Sequence, residues 1–368
     1  MKITIPHLGN LYVFVKVLFD CLAVEYILPP PCTKRTLEIG TKYSPEMACL
    51  PLKINLGNFI ESIELGADTI IITGAGGPCR YGYYCKMHEE MLKDLGYSNV
   101  KLIAIDPYAG LPALLKSIKT IFGTVDFINI AVSGVRAYRV MAEVDRLDKL
   151  CYYIRPRELV KGSANAVMRL LRDKIYSARN IGEVKKIVKE TRAALLNIEV
   201  DTTLNPLKIG LMGEIYTIIE PFTNFNMEEL LGDLGIEVDK TLTISKWIKE
   251  HLVKLHNHKE KAEYDKACEP YLKTPIGGHA RESIGHSALY AKRGGDGIMQ
   301  IYPLTCMPEI VASSILPALS RDYDIPLLTV VIDEITGDAG YKTRIEAFKD
   351  LLLKKREAKN NDGLLCRN

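Results

Sequence analysis

Three cysteines in this sequence stand where a thiol is presented rather than packed. Cys79 closes the run Thr-Gly-Ala-Gly-Gly-Pro-Cys, directly after the β-branched stretch Thr69–Thr73. That stretch reads as a buried parallel strand. Gly74, Gly76, Gly77 and Pro78 then turn the backbone sharply. The thiol therefore falls just past the strand's carboxyl end, where open α/β sheets bind their ligands. Cys306 repeats the arrangement in Tyr-Pro-Leu-Thr-Cys-Met-Pro, after a predicted strand at 298–302. Cys49 lies in Ser-Pro-Glu-Met-Ala-Cys-Leu-Pro, between two prolines. Thiolates are soft ligands, and backbone N–H groups close to a sulfur stabilise its charge. Three thiols offered from loops, two of them at strand ends, point to one shared soft-metal site.

The remaining candidates carry weaker signals. The nine cysteines are an odd number in a large chain that shows no secretory signal, which favours reduced thiols or metal ligands over disulfides. Cys21, Cys151, Cys268 and Cys366 read as packing or incidental residues, since a lone Cys usually behaves as a small hydrophobe. Cys32 follows three prolines, and Cys85 lies six residues beyond Cys79; either could reach a site. No Cys-x-x-Cys pair is present, which argues against a zinc ribbon or a ferredoxin-like run. The seven histidines form no His-Glu-x-x-His. His251, His256 and His258 fall in a Lys- and Glu-rich stretch and read as surface residues, whereas His279 and His286 share one helix face and suit packing. Gly74-Ala75-Gly76-Gly77 does not satisfy the dinucleotide-binding pattern, and there is neither a Walker loop nor a serine nucleophile elbow. Any ATP used would be bound by another protein.

The elements that must hold these thiols alternate. Residues 2–5 form a strand, Leu11–Asp20 a helix and Val24–Leu28 a second strand stopped by Pro29–Pro31. Thr33 caps a helix, Lys53–Leu65 shows helical spacing, and a helix at 86–95, a strand at Lys101–Ile105 and a helix at Leu111–Ile121 follow. Residues 124–206 show no convincing strand and read as a helical bridge, with Ser163, Asn165 and Asn180 as caps. Alternation resumes with strands at 209–212 and Val238–Ile244, a solvated helix over 246–268, a helix at 279–292, the strand before Cys306, a helix started by Pro308, a last strand at Leu327–Ile332 and a closing helix at 340–357. The fold class is α/β: two Rossmann-like parallel-sheet domains, 1–123 and 207–357, joined by the helical segment and followed by a polar, frayed tail at 358–368. No tandem repeat is visible.

Bulk properties narrow the function. At 368 residues the chain is too long for one small core. A hydrophobic content of 47% and a charged content of 25% are those of a soluble globular protein. A net charge of +3 is nearly neutral and argues against a nucleic-acid partner. No apolar run approaches the length of a membrane-spanning helix, and the amino terminus reads as a first strand rather than a signal peptide, so a cytoplasmic location is expected.

The motifs taken together resemble one family. Ser44–Lys53 around Cys49, Gly76–Tyr84 around Cys79, Gly213-Glu214-Ile-Tyr with Pro221–Asn226, Pro303–Glu309 around Cys306, and Ile332–Arg344 are similar to the 2-hydroxyacyl-CoA dehydratase superfamily, in particular its branch related to CoA-enzyme activases. The resemblance runs from residue 1 to about residue 353. It implies a [4Fe–4S] cluster held by Cys49, Cys79 and Cys306, with one iron left open to a substrate thioester. In related double-cubane proteins a sulfide joins the open corners of two such clusters. It also implies a separate ATP-dependent iron–sulfur activator as electron donor, an acyl-CoA or other small substrate, and a homo- or heterodimer. Glu214 becomes a candidate proton donor, and Asn224–Asn226 are expected to line the cleft. Arg80, beside Cys79, would raise a cluster potential or bind an anionic substrate group if it pointed inward, and is otherwise a surface residue. Two other readings stay open: a non-catalytic electron carrier or scaffold subunit, and a small-ligand-binding α/β protein with unmetallated thiols.

Overall fold

The computed structural model describes residues 1–74, 79–106, 110–123, 126–251 and 258–365. In chain order the elements are β1 (Ile3–Thr4), α1 (Leu11–Leu22), α2 (Lys34–Tyr43), α3 (Leu50–Glu64), β2 (Thr69–Thr73), α4 (Tyr81–Asp94), β3 (Lys101–Ile105) and α5 (Leu111–Phe122). Three helices follow, α6 (Phe127–Ile154), α7 (Ser163–Ser177) and α8 (Ile181–Leu196). The rest is β4 (Leu207–Gly213), α9 (Ile215–Ile219), α10 (Met227–Asp233), β5 (Ile236–Lys240), α11 (Ile244–His251), α12 (His258–Cys268), α13 (Ala280–Lys292), β6 (Gly297–Pro303), α14 (Met307–Asp322), β7 (Leu327–Ile332) and α15 (Asp338–Leu365). The fold is α/β with two sheets, both purely parallel.

The chain forms two compact units. The first comprises Met1–Asp148, Val167–Leu196 and Thr243–His256; the second comprises Lys149–Ala166, Asn197–Leu242 and Asn257–Asn368. The helical stretch anticipated as a bridge is divided between them, and α6 runs through the boundary.

In the first unit the sheet order is β1-β2-β3. On the far side of β1, Ile3 pairs in parallel with Tyr26 through Ile3 N to Glu25 O at 3.1 Å and Ile27 N to Ile3 O at 2.8 Å. β2 is covered on both faces, as its unbroken apolar run requires. Ile71 packs with Val15, Phe19 and Ile121 of α1 and α5, and Ile70 and Ile72 pack with Leu56, Phe59, Ile60 and Leu92 of α3 and α4. α2 and α3 touch backbone to backbone. A Cβ on Gly40 would lie 1.8 Å from Lys53 O, and one on Gly57 would lie 1.9 Å from Thr36 O.

The second sheet runs β5-β4-β6-β7. One core joins β4 and β6 to α12, α13 and α14 through Met212, Ile298, Cys268, Ile284, Ala288 and Leu316, all buried. Gly297 of β6 abuts Leu352 and Phe348 of α15. Counting the bridge at Tyr26 as a strand position, both sheets have the spatial order second, first, third, fourth. Each therefore reverses direction between its first and third strands, which makes a crevice at their carboxyl ends.

Several expectations need correction. Val24–Leu28 is not a strand; only the isolated bridge at Tyr26 forms, because β1 is two residues long and offers little backbone to pair. The helix expected from residue 86 begins at Tyr81. The strand expected at 238–244 is β5, ending at Lys240, because Thr243 Oγ1 accepts Lys246 N at 3.2 Å and starts α11. The stretch 246–268 falls in two helices, α11 and α12, with residues 252–257 between them outside the described residues. Residues 358–365 of the polar tail continue α15. Thr33 and Asn180 do cap α2 and α8.

Candidate functional site

Cys49, Cys79 and Cys306 each stand at the start of a helix. Cys49 is the N-cap residue of α3, whose first turn contains Pro51. Cys79 precedes Arg80, the N-cap of α4, and its carbonyl accepts Gly82 N at 3.2 Å. Cys306 is the N-cap of α14, with Pro308 in the first turn. Helix starts present unfilled N–H groups and the positive end of the helix dipole. Gly76, Gly77 and Pro78, expected to turn the chain before Cys79, lie outside the described residues, as do His256 and Cys366.

The first unit brings the Cys49 and Cys79 segments side by side. The turn delivering Cys49 is gripped by two cations: Lys53 Nζ donates to Glu46 O at 2.9 Å, and Arg80 Nη1 donates to Met47 O at 3.2 Å. Lys53 is 2% exposed, an unusual place for an ammonium and one that holds positive charge a single helical turn from Cys49. From α4, Tyr84 sets its Oη 2.6 Å from Cys49 Sγ. Burial first, and then the neighbouring Cys49 sulfur, push the Tyr84 phenol well above its ordinary value. One turn on, His88 Nε2 donates to Leu52 O at 3.1 Å, which fixes the tautomer, because a carbonyl can only accept. Burial pushes this imidazole down to about 4, so it is neutral.

Other first-unit candidates resolve differently. Cys85 faces the apolar cluster around Ile70 and Leu92, a packing role. Cys32 is buried. His7 follows β1, at the sheet end that also carries the Cys79 loop. It is buried, donates its backbone N–H to Asn58 Oδ1 at 2.9 Å, and stacks on Tyr12. No disulfide is found among the described cysteines.

In the second unit the crevice is edged by Glu214 after β4 and by Thr305 and Cys306 after β6. Gly213 has φ +139°, and a Cβ there would lie 1.8 Å from Ile301 O, so only glycine lets the chain leave β4 this way. Glu214 caps α9. Its carboxylate accepts Tyr216 N at 3.0 Å, and Thr217 N and Thr217 Oγ1 at 2.8 Å each. Three donors make it a fixed acceptor. Asn224 is buried and ties α9 to α10, donating to Thr217 O and Ile218 O and accepting Met227 N.

Glu309 is an acid that the sequence reading passed over. It sits in the first turn of α14, 1% exposed, with Ser283 Oγ on Oε1 and Gln300 Nε2 on Oε2, both at 2.9 Å. Burial pushes its carboxyl up to about 7, against those two hydrogen bonds and with the charges of Glu214 and Glu282 adding to the rise. His279, just before α13, is pushed down by burial, with Glu214 pulling it the other way, and lies 3.8 Å from Glu282. His286 packs on Tyr264 with ring centroids 5.0 Å apart.

The two units thus use the same places. In each, a helix entering the third strand begins at a potential ligand (Cys49 before α3, His279 before α13), and the helix leaving that strand begins at a cysteine. No single helix among the described residues is long and apolar enough to cross a membrane. No family model matches the chain, and no curated protein matches it.

Proposed function

We propose that this chain is an iron–sulfur protein of the 2-hydroxyacyl-CoA dehydratase type, with Cys49, Cys79 and Cys306 as the ligands of a [4Fe–4S] cluster. The observation that carries the reading is that Cys49 and Cys306 are the N-cap residues of α3 and α14 and Cys79 lies one residue before the N-cap of α4, and that the Cys49 turn is held by two cations and touched by a phenol. Donor chemistry of this kind fits an iron–sulfur centre: three thiols for four irons, one of them in a turn gripped by Lys53 and Arg80. When bound, such a cluster supplies one-electron reduction at low potential and an open iron. The chain's own residues supply the rest. Arg80 and Lys53 hold the Cys49 turn, Glu214 fixes the exit from β4, and the buried Glu309 holds a proton near the start of α14.

The electron donor in this reading is a separate ATP-dependent activator carrying its own iron–sulfur centre, in keeping with the lack of an ATP-binding motif. The substrate class is an acyl-CoA or another small activated acid. A dimer, with a second copy or a related subunit, belongs to the same proposal.

The test is iron and acid-labile sulfide per chain in protein purified without oxygen, for the wild type and for Cys49→Ala, Cys79→Ala and Cys306→Ala. The expected outcome is about four irons per wild-type chain, with a sharp loss in each variant. Full iron in all three variants would overturn the ligand assignment. Colourless wild-type protein that takes up no iron on reconstitution would leave a ligand-binding α/β protein whose thiols are structural.

A further inference from the structure

We infer that Tyr84 is a positioning residue for Cys49, donating its hydroxyl hydrogen to the sulfur and so raising the reduction potential of the centre that Cys49 helps to hold. The inference rests on the iron–sulfur reading above and deepens it.

The contact is built from several sides. Tyr84 Oη lies 2.6 Å from Cys49 Sγ, and Tyr84 is only 2% exposed. Its ring is wedged between Tyr81, with centroids 5.6 Å apart, and His88, at 6.2 Å. His88 is itself fixed by Leu52 O and by the edge of Phe59, whose centroid is 5.1 Å away. Leu52 N donates to Cys49 O at 3.0 Å. The contacts therefore close a circuit from Cys49 through the first turn of α3 to His88, along α4 to Tyr84, and back to the sulfur. A phenol at the end of such a circuit cannot swing away without unpacking both helices.

The direction of the hydrogen bond follows from chemistry. A metal-bound thiolate carries no proton and has only lone pairs to offer, while a phenol has one hydrogen to give. Donation draws electron density from the sulfur. It favours the electron-richer, reduced state of the centre, so the potential rises relative to a site without the donor. Arg80, whose guanidinium grips the same turn, acts in the same direction. The first unit thus offsets part of the low potential that sulfur-only ligation would give.

The experiment uses the full chain, purified without oxygen and loaded with iron and sulfide. Tyr84→Phe removes one oxygen and keeps the ring. The expected result is wild-type iron content, a lower reduction potential, and loss of one exchangeable hydrogen coupling in electron–nuclear double resonance of the reduced protein in deuterated buffer. A purely structural Tyr84 would leave both readouts where they were, and that result overturns the assignment. Site-specific 3-fluorotyrosine at position 84 keeps the fold and strengthens the donor, so the potential should rise above the wild type. An unchanged potential there overturns the assignment even if Tyr84→Phe loses its iron. A wild-type chain that takes up no iron overturns the iron–sulfur reading, and this inference with it. That failure is distinct from an iron-loaded chain whose potential ignores position 84.

Discussion

Glu309 shows how far burial alone can move a carboxyl group. It lies at the third position of α14, where a Glu usually turns back to the helix start, but its oxygens are taken by Ser283 of α13 and Gln300 of β6. Its folded value of about 7 lies above the ordinary 4.5, so the folded chain binds this proton more tightly than the unfolded one. The associated stability is fully present below 4.5 and is lost as the pH rises through 7. A shift of this size is worth about 3 kcal/mol across that window. Urea unfolding of the wild type should therefore show a fall in stability between about pH 5 and about pH 8 that Glu309→Gln lacks, Gln being neutral throughout. Equal pH dependence in the two proteins would refute the assignment. The charges facing Glu309 are those of Glu214 and Glu282, and burial pushes the neighbouring His279 imidazole down.

At the scale of elements, the pairing of α2 with α3 fixes where Cys49 emerges. With Gly40 against the carbonyl of Lys53 and Gly57 against that of Thr36, neither contact has a side chain that can yield. Gly40→Ala or Gly57→Ala should force the helices apart and cost about 1–3 kcal/mol or more, measurable as a lower urea midpoint. Wild-type stability in both variants would mean that the helices are not in backbone contact. The elements were largely legible beforehand. Thr69–Thr73, Lys101–Ile105 and Leu327–Ile332 are short apolar runs bounded by turn residues, and all three are strands as read. The misreadings arose where a local signal met a tertiary limit. Val24–Leu28 has strand composition but finds a partner only at Tyr26. Thr241, Thr243 and Ile244 beyond Lys240 are β-branched, yet the Thr243 hydroxyl caps a helix there. The positions of the thiols were legible because glycine and proline punctuate them. Tyr84, Lys53 and Glu309 were not, because an aromatic, a lysine or a glutamate in a helix reads as ordinary until the partner helix is known.

At the scale of the whole molecule, the described residues include buried clusters around β2 and around β4 and β6. The clusters fall in different compact units, so native-state hydrogen exchange should separate two sets of slow amides, in β2 and β3 and in β4 and β6, with different opening free energies. A single shared value would mean that the units unfold only together. The two sheets are wound alike, each with a helix pair before its third strand and a cysteine after it. The close helix contact recurs too: a Cβ on Gly285 of α13 would lie 2.2 Å from Tyr264 O of α12, as one on Gly57 would crowd α2. His279 thus stands at the start of α13 where Cys49 stands at the start of α3, an imidazole in the place of a thiol.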